Sequence, residues 1–490
     1  MSIPAGETAP LLPLDANNSG ASRRHLGVTS LVFLNINRII GTGIFSIPSS
    51  IYQLTGSVGW SMAIWVFGGI LSSCGFTVYL EYGLQMPHSG GDKNYLDRVY
   101  TWPPRLMLTI FAVCQVIISF STSNSYAFGN YSQLVWGVKT PDETCTRWIA
   151  SFTIGSVCFL HARYPRAGRA LFNYLGFAKT FVLVLIAACG PLLALGILEG
   201  GSAASHNFGR HMWTNDGFGG GPYEIGVALI RVAYSYRGWE TANLVMSEVK
   251  DPERTVIRAG IIGLSTITAL YTMCTYAYFA VIPKEEVAET GVIIAGVFCR
   301  KLFGESAAAR VLPFVICLSN FGNLLVVTYA ASRVTQEIGR HHILPGSSWL
   351  ETNKPWGAPS MGLFMHFFMT ILTLLLPPPG DVYNFVVDVS TYPMTIFASL
   401  VTAGLFAVHR NPARWNWNLA CFRAPTAASV LFFATNLVMV VFPWMPPPTK
   451  KVGLPYYAST AASLLVMGLG AVYWYFCKDF ILKQTAPVLE

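Results

Sequence analysis

Charge is scarce in this chain. Of its 490 residues, 11% are Asp, Glu, Lys or Arg, against roughly 25% in soluble domains. So few charges cannot solvate the surface of a water-soluble domain, and 53% of the residues are hydrophobic. There is no CxxC pair, no glycine-rich phosphate loop and no spaced set of metal-ligating side chains, so zinc and P-loop nucleotide sites are not expected. The ten cysteines are scattered, and Cys74, Cys114, Cys158, Cys189 and Cys317 sit inside apolar runs. They read as neither a disulfide framework nor a metal site. Nine histidines are equally scattered and complete no nucleophile–base pattern, so the chain does not read as an enzyme and no cofactor is expected. Residues 1–25 are polar and rich in Pro, Ser and Asn. They lack the core of a cleavable signal peptide and read as a disordered tail.

What is abundant is apolar length. A membrane-spanning helix needs about 20 mostly apolar residues. Twelve runs meet that need, at 27–54, 57–85, 106–133, 146–162, 168–198, 222–248, 255–282, 307–337, 359–377, 382–408, 425–444 and 455–477. The expected class is an all-α membrane protein with twelve transmembrane helices, and the lipid bilayer is its first partner. Of the 32 Lys and Arg residues, 19 fall in one set of loops, 9 in the other and four inside apolar runs. Cytoplasmic loops carry the excess, which places both termini in the cytoplasm. The net charge of +8 is therefore a mark of topology, and no nucleic-acid partner is implied. The outer segment after residue 282, "PKEEVAETGVIIAGVFCRKLFGESAAARV", reads either as an interfacial amphipathic helix or as an ordinary outer loop.

Two of the runs are built to break. The first contains "NRIIGTGIFSIPSSI" at residues 37–51, where each glycine weakens a helix by about 1 kcal/mol relative to alanine and Pro48 removes a further backbone bond. The sixth contains "YSYRG" at residues 234–238. Glycine also serves close packing in membranes, so one patch alone marks nothing. Two patches, each opening a five-helix unit (spans 1–5 and 6–10), are the sequence pointer to a transport site. Units with an odd number of spans insert with opposite orientation, so the repeat is inverted, at 27–198 and 222–408. The helices of 425–477 lie outside it, and a cytoplasmic tail follows from 478. Unwound backbone at membrane depth is tolerated where it lines a cavity. A half-helix starting near Ile44 offers free N–H groups and a positive dipole end to a carboxylate. Half-helices ending near Ile39–Ile40 and Val232–Tyr234 offer carbonyls to an ammonium group. Together they suit the zwitterionic part of a free amino acid.

The runs "GTGIFSIPSSI", "EYGLQMPHSGGDKNYLDRVY" and "YSYRGWETANLVMSEVKDPERTVIRA" resemble the amino acid–polyamine–organocation (APC) transporters. Within that superfamily they are similar to the L-type amino acid transporter branch and its fungal methionine permease group. The resemblance spans about residues 26–477. It implies a five-plus-five inverted-repeat (LeuT-like) fold with two additional helices and alternating access. It implies that the backbone of Gly41, Thr42 and Gly43, with Ile40 and Ile44 adjacent, holds the substrate carboxylate. Tyr234 falls where related transporters cap the site, and the backbone of Tyr234, Ser235 and Tyr236 would face the amine. Glu240, which the resemblance places with the substrate-binding residues, stands where L-type relatives often carry Asn. Arg237 departs from the family, many of whose members have a small residue there.

Ionisable residues at membrane depth are functional candidates by default. Lys179 reads either as a lysine snorkelling to the cytoplasmic interface or as an ammonium in the place of a sodium ion, against first- and eighth-span backbone. The second reading implies sodium independence and a group able to exchange a proton. Glu240 is the first candidate for a proton-coupling carboxylate and Asp388 the second. Glu81 is placed at the cytoplasmic gate and Glu248 at a cytoplasmic helix end. Arg237 either pairs with Glu240, three positions on, or places charge beside the substrate and favours an acidic one. Arg38 and Arg231 read as structural. Gln115, Ile118 and Ser119 in span three, with Ser319, Asn320 and Asn323 in span eight, are candidates for the side-chain pocket.

The expected function is therefore a permease importing neutral amino acids, methionine or a similar one, with protons. The alternatives are a proton-independent exchanger and a nutrient receptor with little transport, the latter disfavoured by tails of about 25 and 13 residues. The plasma membrane is the default location. "ETAPLL" at residues 7–12 fits an acidic dileucine signal and leaves vacuolar or endosomal membranes open. Cys145 lies in the loop where animal L-type members bond to a glycoprotein, but its spacing differs, so no obligate protein partner is expected.

Overall fold

The structure, a computed structural model, describes residues 27–86, 91–198, 204–209, 212–217, 219–240, 243, 249–304, 308–378, 382–418, 421–447 and 454–484. The proposed tail of 1–25, the dileucine motif at 7–12 and Glu248 lie outside the described residues. Helices account for the regular structure: α1 (Val28–Ile39), α2 (Gly43–Ser46), α3 (Pro48–Thr55), α4 (Val58–Gln85), α5 (Asp92–Val99), α6 (Leu106–Ile118), α7 (Thr122–Val135), α8 (Glu143–Arg163), α9 (Pro165–Ala194) and α10 (Ala204–Asn207). The second half holds α11 (Pro222–Tyr236), α12 (Pro252–Val281), α13 (Lys284–Thr290), α14 (Ile294–Phe303), α15 (Ala308–Arg340), α16 (Ser347–Leu350), α17 (Ser360–Leu375), α18 (Val382–Arg410), α19 (Thr426–Val441) and α20 (Ala458–Gln484). No β-strand occurs among the described residues.

A helix lies in each of the twelve predicted runs. Nine helical stretches among the described residues are long and apolar enough to cross a membrane, counting the interrupted pairs from Val28 to Ser46 and from Leu106 to Val135 as one each. In the other three runs the helices are α8, α11 and α17. Helix α20 continues to Gln484, so part of the predicted tail from 478 is helical. Large apolar side chains such as Phe152, Phe159, Phe177, Phe181, Leu465 and Phe476 are exposed on the outside, where lipid rather than water is the expected neighbour.

Packing centres on the two predicted breaks. Helix α12 packs on α1, α4 and α9, and α15 packs on α7, α9 and α17. Helix α11 packs on α2, α3, α4 and α18. One apolar core gathers Ile39, Ile40, Ile44, Phe45, Tyr271 and Phe298 around the first helix. A second gathers Tyr82, Ile118, Leu229, Tyr392, Phe397 and Phe432 around α18.

The segment after residue 282 forms α13 and α14, joined by a 3-10 turn at Gly291–Ile293. It packs on the protein rather than lying free at the interface: Ile294, Ala295, Phe298 and Cys299 are fully buried. The Tyr131 hydroxyl ties this segment to the first helix, donating to Phe45 O at 2.7 Å and lying 3.2 Å from Val292 O.

Candidate functional site

The first helix breaks where glycine and proline predict. Helix α1 ends at Ile39, Ile40 takes an extended ψ of 104°, and α2 starts at Gly43. The chain then bends at Ile47 before Pro48, the first residue of α3. The amides of Gly41, Thr42 and Ile44 make no hydrogen bond within the protein among the described residues. These are the orphan donors that a helix start inside a membrane must leave to something else.

The sixth helix breaks later than the predicted Val232–Tyr234. Tyr234, Ser235 and Tyr236 are all helical, and the chain turns at Arg237 (ψ 134°) and Gly238 (φ 125°). The left-handed φ is one that glycine adopts without a Cβ penalty.

The two breaks interlock. A Cβ on Gly43 would stand 2.8 Å from Ser235 Cα, and one on Gly238 would stand 2.7 Å from Arg38 Cγ. Both contacts require glycine, one on each side of the crossing. Thr42 Oγ1 lies 3.3 Å from the Tyr234 hydroxyl and accepts from the Tyr383 hydroxyl at 3.1 Å. Tyr234 also meets Ser123 Oγ at 2.7 Å. The Tyr234 hydroxyl therefore stands between Thr42 of the first break and Ser123.

The carbonyls that sequence reasoning reserved for an ammonium group already have partners. Lys179, fully buried, donates to Asn37 O and to Ile40 O, the latter at 2.9 Å. The Tyr271 hydroxyl lies 3.0 Å from Ile39 O and 3.2 Å from Ser235 O. Arg237 N bonds Tyr234 O at 3.1 Å. Each carbonyl keeps a second lone pair. Lys179 does not snorkel: it points inward, to the end of α1.

The other acids separate. Asp388 accepts two bonds from Arg231, at 3.1 and 3.0 Å, in a buried pair between α18 and α11. Glu81, buried, accepts from Trp417 Nε1 at 3.0 Å and Ala424 N at 2.7 Å and lies 2.6 Å from His409 Nε2. It ties α4 to the segment between α18 and α19. Glu240 accepts from Gly238 N at 3.0 Å, while Arg237 donates to Ser390 O at 3.4 Å. The Arg237–Glu240 pair does not form among the described residues, because the helix ends at Tyr236 and the three-residue spacing no longer aligns the two side chains.

Arg237 and Glu240 line a cavity with Tyr79, Asp92, Ala233 and Asn436, which encloses about 650 Å³ of atom-free space including open solvent. Ala233 and Arg237, four residues apart, share one face of the sixth helix and its end. Ser235, which abuts Gly43, lies on the other. Burial pushes the Asp92 carboxyl up to about 6; the Tyr79 hydroxyl opposes this, Glu240 adds to it and Arg237 opposes it.

The predicted span-eight residues are buried: Ser319, Asn320 and Asn323. Asn323 reaches the first break, since a Cβ on Gly41 would stand 2.6 Å from its Nδ2. In span three the picture changes. Ile118 packs in the second core and Gln115 is half-buried on α6. The helix itself stops at Ile118 and restarts at Thr122, an interruption that sequence reasoning missed. Ser123 and Asn124, just beyond it, reach the site instead, Asn124 Oδ1 accepting from Asn323 Nδ2 at 2.8 Å. The signal was there in "SFSTSNS", a cluster of side chains that compete for backbone hydrogen bonds. Tyr271 and Tyr383 were also missed, being indistinguishable in sequence from other membrane tyrosines. No group of three metal-ligating side chains occurs among the described residues, and the ten cysteines are free thiols.

The family described as "Amino acid permease" matches residues 26–471. The high-affinity methionine permease of Saccharomyces cerevisiae is 30% identical over 464 residues, covering 92% of this chain and 78% of the relative. The low-affinity methionine permease of the same yeast is 32% identical over 459 residues, covering 92% and 82%. The human b(0,+)-type amino acid transporter 1 is 24% identical over 436 residues, covering 87% and 84%.

Proposed function

Because the chain belongs to the amino acid permease family, we propose that it imports a neutral amino acid, methionine or a close analogue, by proton-coupled alternating access around the crossing of the first and sixth helices. The family assignment makes it a multi-pass membrane transporter of amino acids and not an enzyme. The finer reading is carried by one observation: the amides of Gly41, Thr42 and Ile44 lack partners among the described residues at a buried helix start. A carboxylate there gains hydrogen bonds and the positive helix end together. In this reading Ile40, Gly41, Thr42, Gly43 and Ile44 receive the carboxylate, and the backbone of Tyr234, Ser235 and Tyr236 faces the amine. The inverted repeat of 27–198 and 222–408, the twelve-helix count, cytoplasmic termini and a plasma-membrane location belong to the same proposal.

Likeness to two yeast methionine permeases supports the substrate class. The position of Arg237 supports it as well, since this residue lines the cavity across α11 from the Gly43–Ser235 contact and so does not select for an acidic substrate. Lys179 on the α1 carbonyls favours transport without sodium. Glu240, beside the sixth break and in a cavity with Asp92, is the preferred proton carrier, since Asp388 is neutralised by Arg231.

The test is uptake of labelled methionine into proteoliposomes with and without an inward proton gradient, competed by a panel of unlabelled amino acids. Gradient-driven accumulation blocked best by methionine-like substrates is the expected result. Gradient-independent counterflow identifies an exchanger, and binding without uptake a receptor. Competition chiefly by acidic amino acids overturns the substrate class.

A further inference from the structure

The third-helix interruption is held from behind by one neighbour. His366 on α17 is buried, with Nδ1 2.7 Å from Ser119 O. A carbonyl only accepts, so Nδ1 carries a proton. Nε2 lies 2.8 Å from Ser121 Oγ and 3.4 Å from Thr328 Oγ1, and a neutral ring accepts there. One turn further along α17, Thr370 Oγ1 accepts from Ser121 N at 3.1 Å, and the Thr122 hydroxyl donates to Thr370 O at 3.2 Å. Backbone groups of Ser119 and Ser121 that a continuous helix would satisfy are thus taken up by α17.

The non-helical residues 119–121 reset the rotation of α7 relative to α6. Just beyond them two consecutive residues, about 100° apart around α7, reach different parts of the site. Ser123 meets Tyr234, which lies against Thr42. Asn124 holds Asn323, which abuts Gly41. Along the same stretch of α15, Ser319 Oγ, the whole Asn320 carboxamide and Asn323 Oδ1 are buried without a protein partner among the described residues. This wall has polar capacity left for a guest.

We propose that His366 is a positioning residue for substrate selection: from outside the site it fixes the third-helix interruption that presents Ser123 and Asn124 to the first and sixth breaks. The inference rests on the reading of those breaks as the amino-acid site.

The experiment is transport kinetics in proteoliposomes, at matched amounts of folded protein, for methionine and a series of smaller and more polar neutral amino acids. His366→Ala should raise KM about tenfold, the cost of one or two lost buried hydrogen bonds, change kcat less than twofold, and flatten the ranking of substrates. His366→Asn, whose Nδ2 can donate to Ser119 O, should stay within about threefold of the parent. Should His366→Ala not fold, Thr370→Val removes the acceptor for Ser121 N, along with a hydroxyl bond to His366 O within α17, and should raise KM about threefold with the same flattening. A loss of folded protein or kcat with unchanged KM ratios overturns the proposal, as does His366→Asn behaving like His366→Ala. Gly43→Val separates the two levels of the argument. Normal uptake by that variant removes the site reading itself. Loss of uptake there, with unchanged selectivity in the His366 and Thr370 variants, removes only the clamp.

Discussion

The first and third membrane helices are both interrupted, yet the protein takes up different parts of their freed backbone. At the third, His366 and Thr370 take up Ser119 O and Ser121 N. At the first, protein side chains cover the carbonyl side, through Lys179 and Tyr271, and leave the amides of Gly41, Thr42 and Ile44 without partners among the described residues. An interruption braced from a neighbouring helix on both a carbonyl and an amide shapes the protein. One left half-paired, on the side that attracts anions, is shaped for a guest.

The largest expected effect tests the unpaired break. Gly43→Val forces a branched side chain against Ser235 Cα and should reduce amino acid uptake about a hundredfold or more, as misplaced binding groups do. Uptake assays with size-exclusion profiles of the purified variant check it, and normal uptake returns Gly43 to a packing role. Lys179→Ala leaves two buried carbonyls without their ammonium and should lower uptake about tenfold or more. An unaffected rate would mean that these carbonyls need no partner, and the contrast between the breaks would fall. Tyr234→Phe removes the hydroxyl that joins both interruptions through Thr42 and Ser123; KM should rise about threefold to tenfold with the fold retained.

A control sits just beyond the end of α15. Lys93 Nζ lies 2.7 Å from His341 Nε2, and burial, then the Lys93 ammonium, push the His341 imidazole down to about 4. The folded protein keeps this ring neutral while the unfolded chain protonates it below about pH 6.5. Stability from this source is present above that pH and is lost as the pH falls toward about 4. Melting curves of the parent should therefore fall relative to His341→Gln in that window, with uptake at neutral pH unchanged.

Much of the fold was legible because lipid imposes simple rules. Apolar length placed a helix in each of the twelve runs, and Gly41, Gly43 and Pro48 marked the first break to within a residue. The sixth break was placed too early, since Ser235 and Arg237 in the sequence suggest unwinding, whereas packing keeps the helix intact to Tyr236. The third break escaped because the hydroxyl cluster of "SFSTSNS" only permits an interruption, while the partners on α17 that fix it are set by tertiary packing. Lys179 was recognisable as one charge in a long apolar run, but its alignment with the end of α1 is a tertiary fact. The Arg237–Glu240 pairing failed for a related reason: helical spacing was applied where the helix had already ended.

The contact between Gly43 and Ser235 also has a genetic consequence. Two positions nearly two hundred residues apart share one volume, so neither can vary alone. Loss of function from Gly43→Ala should be eased only in part by Ser235→Gly, which removes Oγ and Cβ but leaves Cα 2.8 Å from the added methyl group, and among natural sequences a residue larger than glycine at 43 should appear only with a small one at 235. Such a pair ties the two halves of the chain together in inheritance as closely as it does in space.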